Sequence, residues 1–252
     1  SDEFYLTDIV KVISDKGRKT RLVLSNLEET QGINSKKDLA RAEVYFQNQL
    51  RDSFLGKGVT LIDPKTIYFS YDTKIGDDSI ISPNVIFGPS VKIENNVEIL
   101  SFSYLEGCRI ASGSKIGPFA RVRPETFIEE NVRIGNFVEI KNTTLKTGAK
   151  ASHLTYIGDA EIGSGANIGA GTIFCNYDGV FKHATQVGKN AFIGSNSSLI
   201  APVNIGSHAL VGAGSVVTND VPDHTLAISR ATQKNKKNLG KRIMKKLRSI
   251  KK

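Results

Sequence analysis

One histidine in this sequence is placed for proton chemistry. His153 sits in ASHLTYIGDAEIG, with Lys141 before it, Tyr156 just after it, and Asn167 and Lys182 further on. An imidazole has an ordinary pKa near about 6.5, so it is the natural base for a proton taken near neutral pH. A lone histidine is more often structural than catalytic, and the reading rests on the company His153 keeps. His208 in GSHAL and His224 in PDHTL read as exposed turn residues. His183 follows Lys182 at the end of a polar loop. Around His153 the stretch 139–182 also carries a Gly/Ala run, IGAGT, that leads into CNYDG.

These residues need a frame, and the spacing of the aliphatics supplies one. Ile75, Ile81, Phe87, Ile93 and Ile99 stand six apart. So do Ile110, Ile116, Val122, Ile128, Ile134 and Ile140. A third series is Ile162, Ile168 and Phe174, and a fourth is Val187, Ile193, Leu199, Ile205, Val211 and Val217. A period of six fits neither a helix nor a meander of strands. It predicts a parallel β-helix of hexapeptide repeats, three hexads to a triangular coil, each aliphatic stacking on its counterpart 18 residues later. Glycine follows the aliphatic at positions such as Gly76, Gly169 and Gly194, where it is expected to accept a left-handed corner. The series break at 105–110, 140–157 and 175–186. Those breaks read as insertions that bulge outward and carry function.

The remaining segments frame that coil. FYLTDIVKVI could be helix or strand, with a turn at SDKG, and RLVLSNLEE resembles a strand; no complete core is evident in 1–34. Ser35 and Asp38 make a capping pair for a helix over 35–55, with Leu39, Ala42, Phe46, Leu50 and Phe54 on one face and Gly56 at its end. The net charge of +9 is local: ten Lys/Arg and no acid lie in 234–252, and without them the balance is −1. Leu239, Ile243, Leu247 and Ile250 form a helical stripe there. A solvated or partner-packed helix is favoured over membrane contact, and no nucleic-acid partner is expected. No apolar run matches a membrane span, and the start lacks signal-peptide features and an initiator Met, so it reads as a cut or processed end. Cys108 and Cys175 read as two isolated thiols of a cytoplasmic protein.

RVRP, GNFVEIKN, ASHLTYIGDAEIG, ANIGAGTIFCNYDG, IGSNSSLIAPV and LAISR together resemble the C-terminal half of the bacterial bifunctional enzyme that makes UDP-N-acetylglucosamine, a precursor of cell wall and lipopolysaccharide. That family combines a glucosamine-1-phosphate acetyltransferase with an N-acetylglucosamine-1-phosphate uridyltransferase. The resemblance covers essentially residues 1–231. It implies an all-β, left-handed β-helix with an N-terminal helical linker and the remnant of an α/β domain. The corresponding boundaries are 1–34 for the uridyltransferase remnant, 35–57 for the linker helix, 58–230 for the acetyltransferase coil and 231–252 for the basic tail. It also implies a homotrimer with sites between subunits, in keeping with flat coil faces that form grooves only side by side.

The resemblance assigns roles as well. His153 matches the general base, which frees a sugar amine to attack the thioester of acetyl-CoA. Arg123, Lys141 and Lys182 match contacts to the sugar phosphate, an Arg fork and two Lys point charges. Tyr156 and Asn167 match sugar contacts. Ala170, Asn176, Tyr177, Ser195, Ala213 and Arg230 match the acetyl-CoA site, and Glu139 is a candidate for orienting it. Asn34 matches a Mg²⁺ ligand of the uridyltransferase, but the carboxylate partner and the Gly-rich nucleotide loop are missing from this sequence. Uridylyl transfer is therefore not expected of these residues. Competing readings are another hexapeptide acyltransferase, acting on a serine hydroxyl or a lipid-A precursor, and a non-catalytic β-helix scaffold. A γ-type carbonic anhydrase would need three suitably spaced histidine ligands, which His153, His183 and His208 do not make.

Overall fold

A computed structural model describes residues 5–251. The readings that touch SDEF at 1–4 and the last lysine, 252, lie outside the described residues. The chain divides into two compact units, one up to Gln49 and one from Leu50 onward.

In the first unit the ambiguous segment is a helix, α1 (Asp8–Asp15). The SDKG turn follows it, with Gly17 at φ +68°. The expected strand at 21–29 does not form, and Leu22, Val23 and Leu24 are more than 80% exposed in coil. A strand needs a neighbour to take its N–H and C=O groups, and no described residue of this unit offers one. No apolar side chain among the described residues up to Gln49 is buried, which agrees with an incomplete core.

The second helix, α2 (Lys36–Gly56), begins where the capping pair requires. The Asp38 amide donates to Ser35 Oγ at 3.1 Å, and that hydroxyl donates to Asp38 Oδ2 at 2.6 Å. The Ser35 hydroxyl holds the Asp38 carboxyl below its usual range. The predicted apolar face is buried only at its end. Phe54 is buried and Leu50 packs on the core, whereas Leu39 and Phe46 are exposed. The Phe54 ring lies 4.7 Å from that of Phe69, which stacks on Phe87 at 5.2 Å.

From Thr60 the chain winds as a left-handed parallel β-helix of about nine turns. Every aliphatic of the four series is buried. The stacking register is 18 residues where Ile75 meets Ile93 and Ile116 meets Ile134. It is 17 where Ile93 meets Ile110 and where Ile140 meets Ile157. The breaks at 105–110 and 140–157 are therefore shortened corners, not the insertions expected. At each short corner the left-handed residue comes one position earlier, at Gly107, Asn142 and Asp159. Losing one residue lets a strand run on round the bend, and Glu139–Leu145 and Tyr156–Ile162 are seven residues long for that reason. Only 175–186 is a true insertion, because Ile168 pairs with Ile193, 25 residues on.

The glycines are held by a different constraint from the one expected. Gly169 and Gly194 do not have positive φ. The left-handed corner comes two residues later, at Gly171 and Asn196, and elsewhere at Phe119, Phe137 and Leu154. Gly169 is required by close approach: a Cβ there would meet Ile193 O at 2.5 Å and Ser195 N at 2.6 Å on the next coil. The last helix, α3 (Leu239–Ile250), has no buried residue.

Candidate active site

Two neighbouring coils bring several of the predicted residues together. The strand Arg133–Asn136 pairs with Lys150–His153 so that Asn136 faces His153 in register. The strand Glu139–Leu145 pairs with Tyr156–Ile162, setting Glu139 beside Tyr156 and Lys141 beside Gly158. His153 ends its strand at a corner turned by Leu154 at φ +51°. A left-handed leucine is an uncommon conformation, and it exposes the imidazole at the bend.

His153 Nδ1 lies 2.5 Å from Asn136 Oδ1. An amide oxygen only accepts, so in the neutral imidazole Nδ1 carries the proton and Nε2 keeps its lone pair. That tautomer is the one a general base needs. Asn136 was not singled out from the sequence. It sits in GNFVEIKN, and its amide has no chemistry of its own that would mark it.

The three predicted cations gather. Arg123 Nη1 donates to Glu139 Oε1 at 2.9 Å. Lys141 Nζ lies 3.4 Å from Asp159 Oδ1, both side chains largely buried. Lys182 comes from the 175–186 loop and meets the Lys141 amine. The neighbouring Lys141 amine first, then burial and more distantly the charge of Arg123, lowers the pKa of Lys182. Lys141 and Lys182 share one site as a pair, in which Lys141, tethered by the Asp159 carboxylate against burial, is the one held above the usual lysine value. An ammonium pressed by like charges gains when an anion arrives, so this cluster suits a phosphate.

Asp159 is the node that sequence reasoning missed. Its Oδ1 accepts from Asn142 Nδ2 at 2.7 Å, and its Oδ2 accepts from Asn176 Nδ2 at 2.5 Å. Burial pushes its pKa up, but the two amides and Lys141 outweigh that and leave it lowered. Asn176 also reaches Tyr156 OH at 3.4 Å. The structure thus draws Asn176, expected among the acetyl-CoA contacts, into the cluster with Tyr156 and Lys141. The available signal was GDAEIG, a polar residue at a corner that had lost one position.

A second set forms a row along one corner. The amide of Gly171 donates to His153 O at 3.4 Å, that of Asn196 to Ala170 O at 2.8 Å, and that of Gly214 to Ser195 O at 2.8 Å. Arg230 Nη1 donates to Ala213 O at 2.5 Å. His153, Ala170, Ser195 and Ala213 therefore stand on successive coils, roughly 4.8 Å apart per step, with Arg230 at the far end. Small side chains keep this row open for an extended ligand lying against the backbone.

Other candidates stand apart. Asn167 is in register with Lys150, three positions before His153, on a different face from Tyr156. Tyr177 is exposed, and its hydroxyl donates to Gly179 O at 2.6 Å. Asn34 lies exposed in the first unit, and the described residues contain no group of three His, Cys, Asp or Glu able to hold a metal. Asn34 alone does not fit a Mg²⁺ site. His183 is engaged: its Nε2 is 2.7 Å from Asp178 Oδ2, and Asp178 Oδ1 accepts from the amides of Val180 and Phe181. His183 first, then these amides, lowers Asp178 to about 2. Cys108 is buried, and desolvation pushes its thiol up to about 12. His208 and His224 stack on each other at left-handed corners.

Residues 72–107 and 184–219 match the family described as bacterial transferase hexapeptide (six repeats). The chain is 51% identical over 249 residues to the bifunctional protein GlmU of Paracoccus denitrificans, covering 99% of this chain and 56% of that protein. It is 47% identical over 249 residues to the protein of the same name from Jannaschia sp., covering 99% and 55%. The chain spans about half the length of the curated relatives it matches. Among solved structures it is similar to LpxA, a UDP-N-acetylglucosamine acyltransferase from Bacteroides fragilis, with 20% identity, coverage of 67% and 69%, and a TM-score of 0.41.

Proposed function

The chain is a homologue, over about half their length, of the proteins called bifunctional protein GlmU, and on that premise we propose that it transfers the acetyl group of acetyl-CoA to the amine of glucosamine-1-phosphate, giving N-acetylglucosamine-1-phosphate for UDP-N-acetylglucosamine synthesis. The observation that carries this reading is the Asn136–His153 pair. In the neutral imidazole it puts the proton on Nδ1 and leaves the Nε2 lone pair free, at the head of the Ala170, Ser195 and Ala213 row.

In this reading the cations and Tyr156 hold the sugar phosphate, with Asn167 contributing to the sugar. The row and Arg230 hold acetyl-CoA with its thioester toward His153, and Tyr177 flanks it from the inserted loop, while Asn176 stays with Tyr156 and Asp159. His153 Nε2 takes a proton from the sugar ammonium. The freed nitrogen lone pair attacks the thioester carbonyl carbon. The tetrahedral adduct collapses by breaking the C–S bond, and the second amine proton leaves as the amide forms. The sulfur is protonated from the His153 imidazolium, so the products are amide, thiol and one proton released to water. Holding the two reactants at adjoining sites supplies much of the effect by proximity.

The assembly proposed is a homotrimer. Phe102, Phe119 and Phe137 stack at 5.0 and 5.2 Å on exposed left-handed corners, and Leu154 continues that column. Large apolar side chains so placed gain only if something covers them. A neighbouring copy there would lie against His153. The linker and remnant boundaries are carried over with the same reading, as is a cytoplasmic location. No helix among the described residues is long and apolar enough to cross a membrane.

Thiol release from acetyl-CoA in the presence of glucosamine-1-phosphate tests the function. No release, or release only with a hydroxyl acceptor, would refute it in favour of a scaffold or another acyltransferase.

A further inference from the structure

We propose that α3 is a docking surface for a bilayer rich in anionic lipid. None of its residues is buried, and Ile243, Met244, Leu247 and Ile250 are each about half exposed or more. At about 100° per residue, Leu239, Ile243, Leu247 and Ile250 fall within an arc of about 80°. Lys246 and Lys251 flank that arc, while Lys241, Arg242, Lys245 and Arg248 lie behind it. This is the layout of a helix that rests in an interface, apolar side down, with lysines snorkelling at its edges.

The helix is poorly supported from within. Twelve residues are marginal in water, and Asn238 gives no side-chain cap. Its first turn carries Lys241 and Arg242 rather than acids, against the helix dipole. Lys241 and Lys245, and Arg242 and Lys246, are like charges four apart. An anionic surface answers all of these at once: it neutralises the charges and receives the stripe.

Charge complementarity selects this partner over the others. Residues 234–252 hold ten Lys/Arg and no acid, while the rest of the chain balances at −1. Two copies of α3 face to face would bring like charge together. A nucleic acid would leave the stripe in water, and residues 231–252 have no aromatic side chain to stack on bases. The sequence alone favours a solvated or partner-packed helix. What the structure adds is a formed helix whose apolar arc nothing among the described residues covers.

Co-sedimentation of the full chain with phosphatidylcholine vesicles, with and without phosphatidylglycerol, tests this. Binding should require phosphatidylglycerol, weaken at high salt, and raise the helical circular dichroism signal. Lys245→Gln and Lys246→Gln should each weaken partitioning about fivefold. Leu247→Glu should abolish it while leaving acetyl transfer unchanged. Absence of binding, equal binding to neutral vesicles, or undiminished binding by Leu247→Glu would each overturn the proposal. So would tighter binding to a single-stranded oligonucleotide than to the anionic vesicles, or a change in the oligomeric state of lipid-free Leu247→Glu, which would mean that a second copy covers the stripe.

Discussion

Asn136 and His153 stand 17 residues apart in sequence and side by side on adjacent coils, with Nδ1 and Oδ1 separated by 2.5 Å. The pair fixes which imidazole nitrogen is basic. Asn136→Ala should therefore cost about tenfold or more in kcat, a part of the 10²–10⁴ that a positioned base contributes, with KM for acetyl-CoA little changed. Steady-state kinetics check this, and a shifted ¹⁵N tautomer signal from His153 in the variant would separate orientation from general damage.

Asp159 binds Asn142, Asn176 and Lys141 at a short corner. Asp159→Ala should leave partners without an acceptor and lower stability by about 1–3 kcal/mol, and should raise KM for the sugar phosphate because Lys141 loses its tether. Its carboxyl pKa is lowered in the folded state. Its contribution should be complete above the unfolded carboxylate value and fade as pH falls through the depressed one. Thermal melts of both proteins across acidic pH, compared pairwise, check the sign.

Asp178 locks the 175–186 loop through His183 and two amides. With its pKa at about 2, the carboxylate keeps that lock intact above the ordinary carboxyl value of 3.8. The lock should release as pH falls through about 2. Asp178→Ala should speed amide hydrogen exchange at Val180 and Phe181 at neutral pH and leave the coil's core amides unchanged.

Gly169→Ala should be destabilising although alanine is small, because the added Cβ meets backbone atoms of the next coil rather than a movable side chain. Ile134→Ala removes a fully buried aliphatic and should cost about 2–5 kcal/mol. Denaturant midpoints measure both. The glycine variant should also raise KM for acetyl-CoA, since Gly169 precedes Ala170 in the row.

The coil was legible in the sequence because its inward aliphatics report directly on burial: Ile116, Ile134 and Ile168 each occupy the place that their spacing assigns. The corners were less so. A five-residue step and a long insertion both interrupt a period of six, so the shortened turns at Asn142 and Asp159 read as bulges. The glycines were recognised for the wrong reason, because coil-to-coil distance does not show in one chain's spacing. His153, Lys141 and Lys182 stand out in the sequence as chemical groups. Asn136 and Asp159 were missed because they act only through the residues they hold, and that partnership exists only once the coils stack. The segment 21–29 has strand-like composition, but composition supplies no neighbour.

The proposed reaction turns on His153 as the base. Acetyl transfer by His153→Ala should fall by about 10²–10⁴-fold, with the fold intact and acetyl-CoA binding little changed, because the Ala170 to Arg230 row is untouched. His208→Ala and His224→Ala should be near neutral. If His153→Ala turns over at nearly the unaltered rate while His183→Ala does not, the base is His183 and the account is wrong.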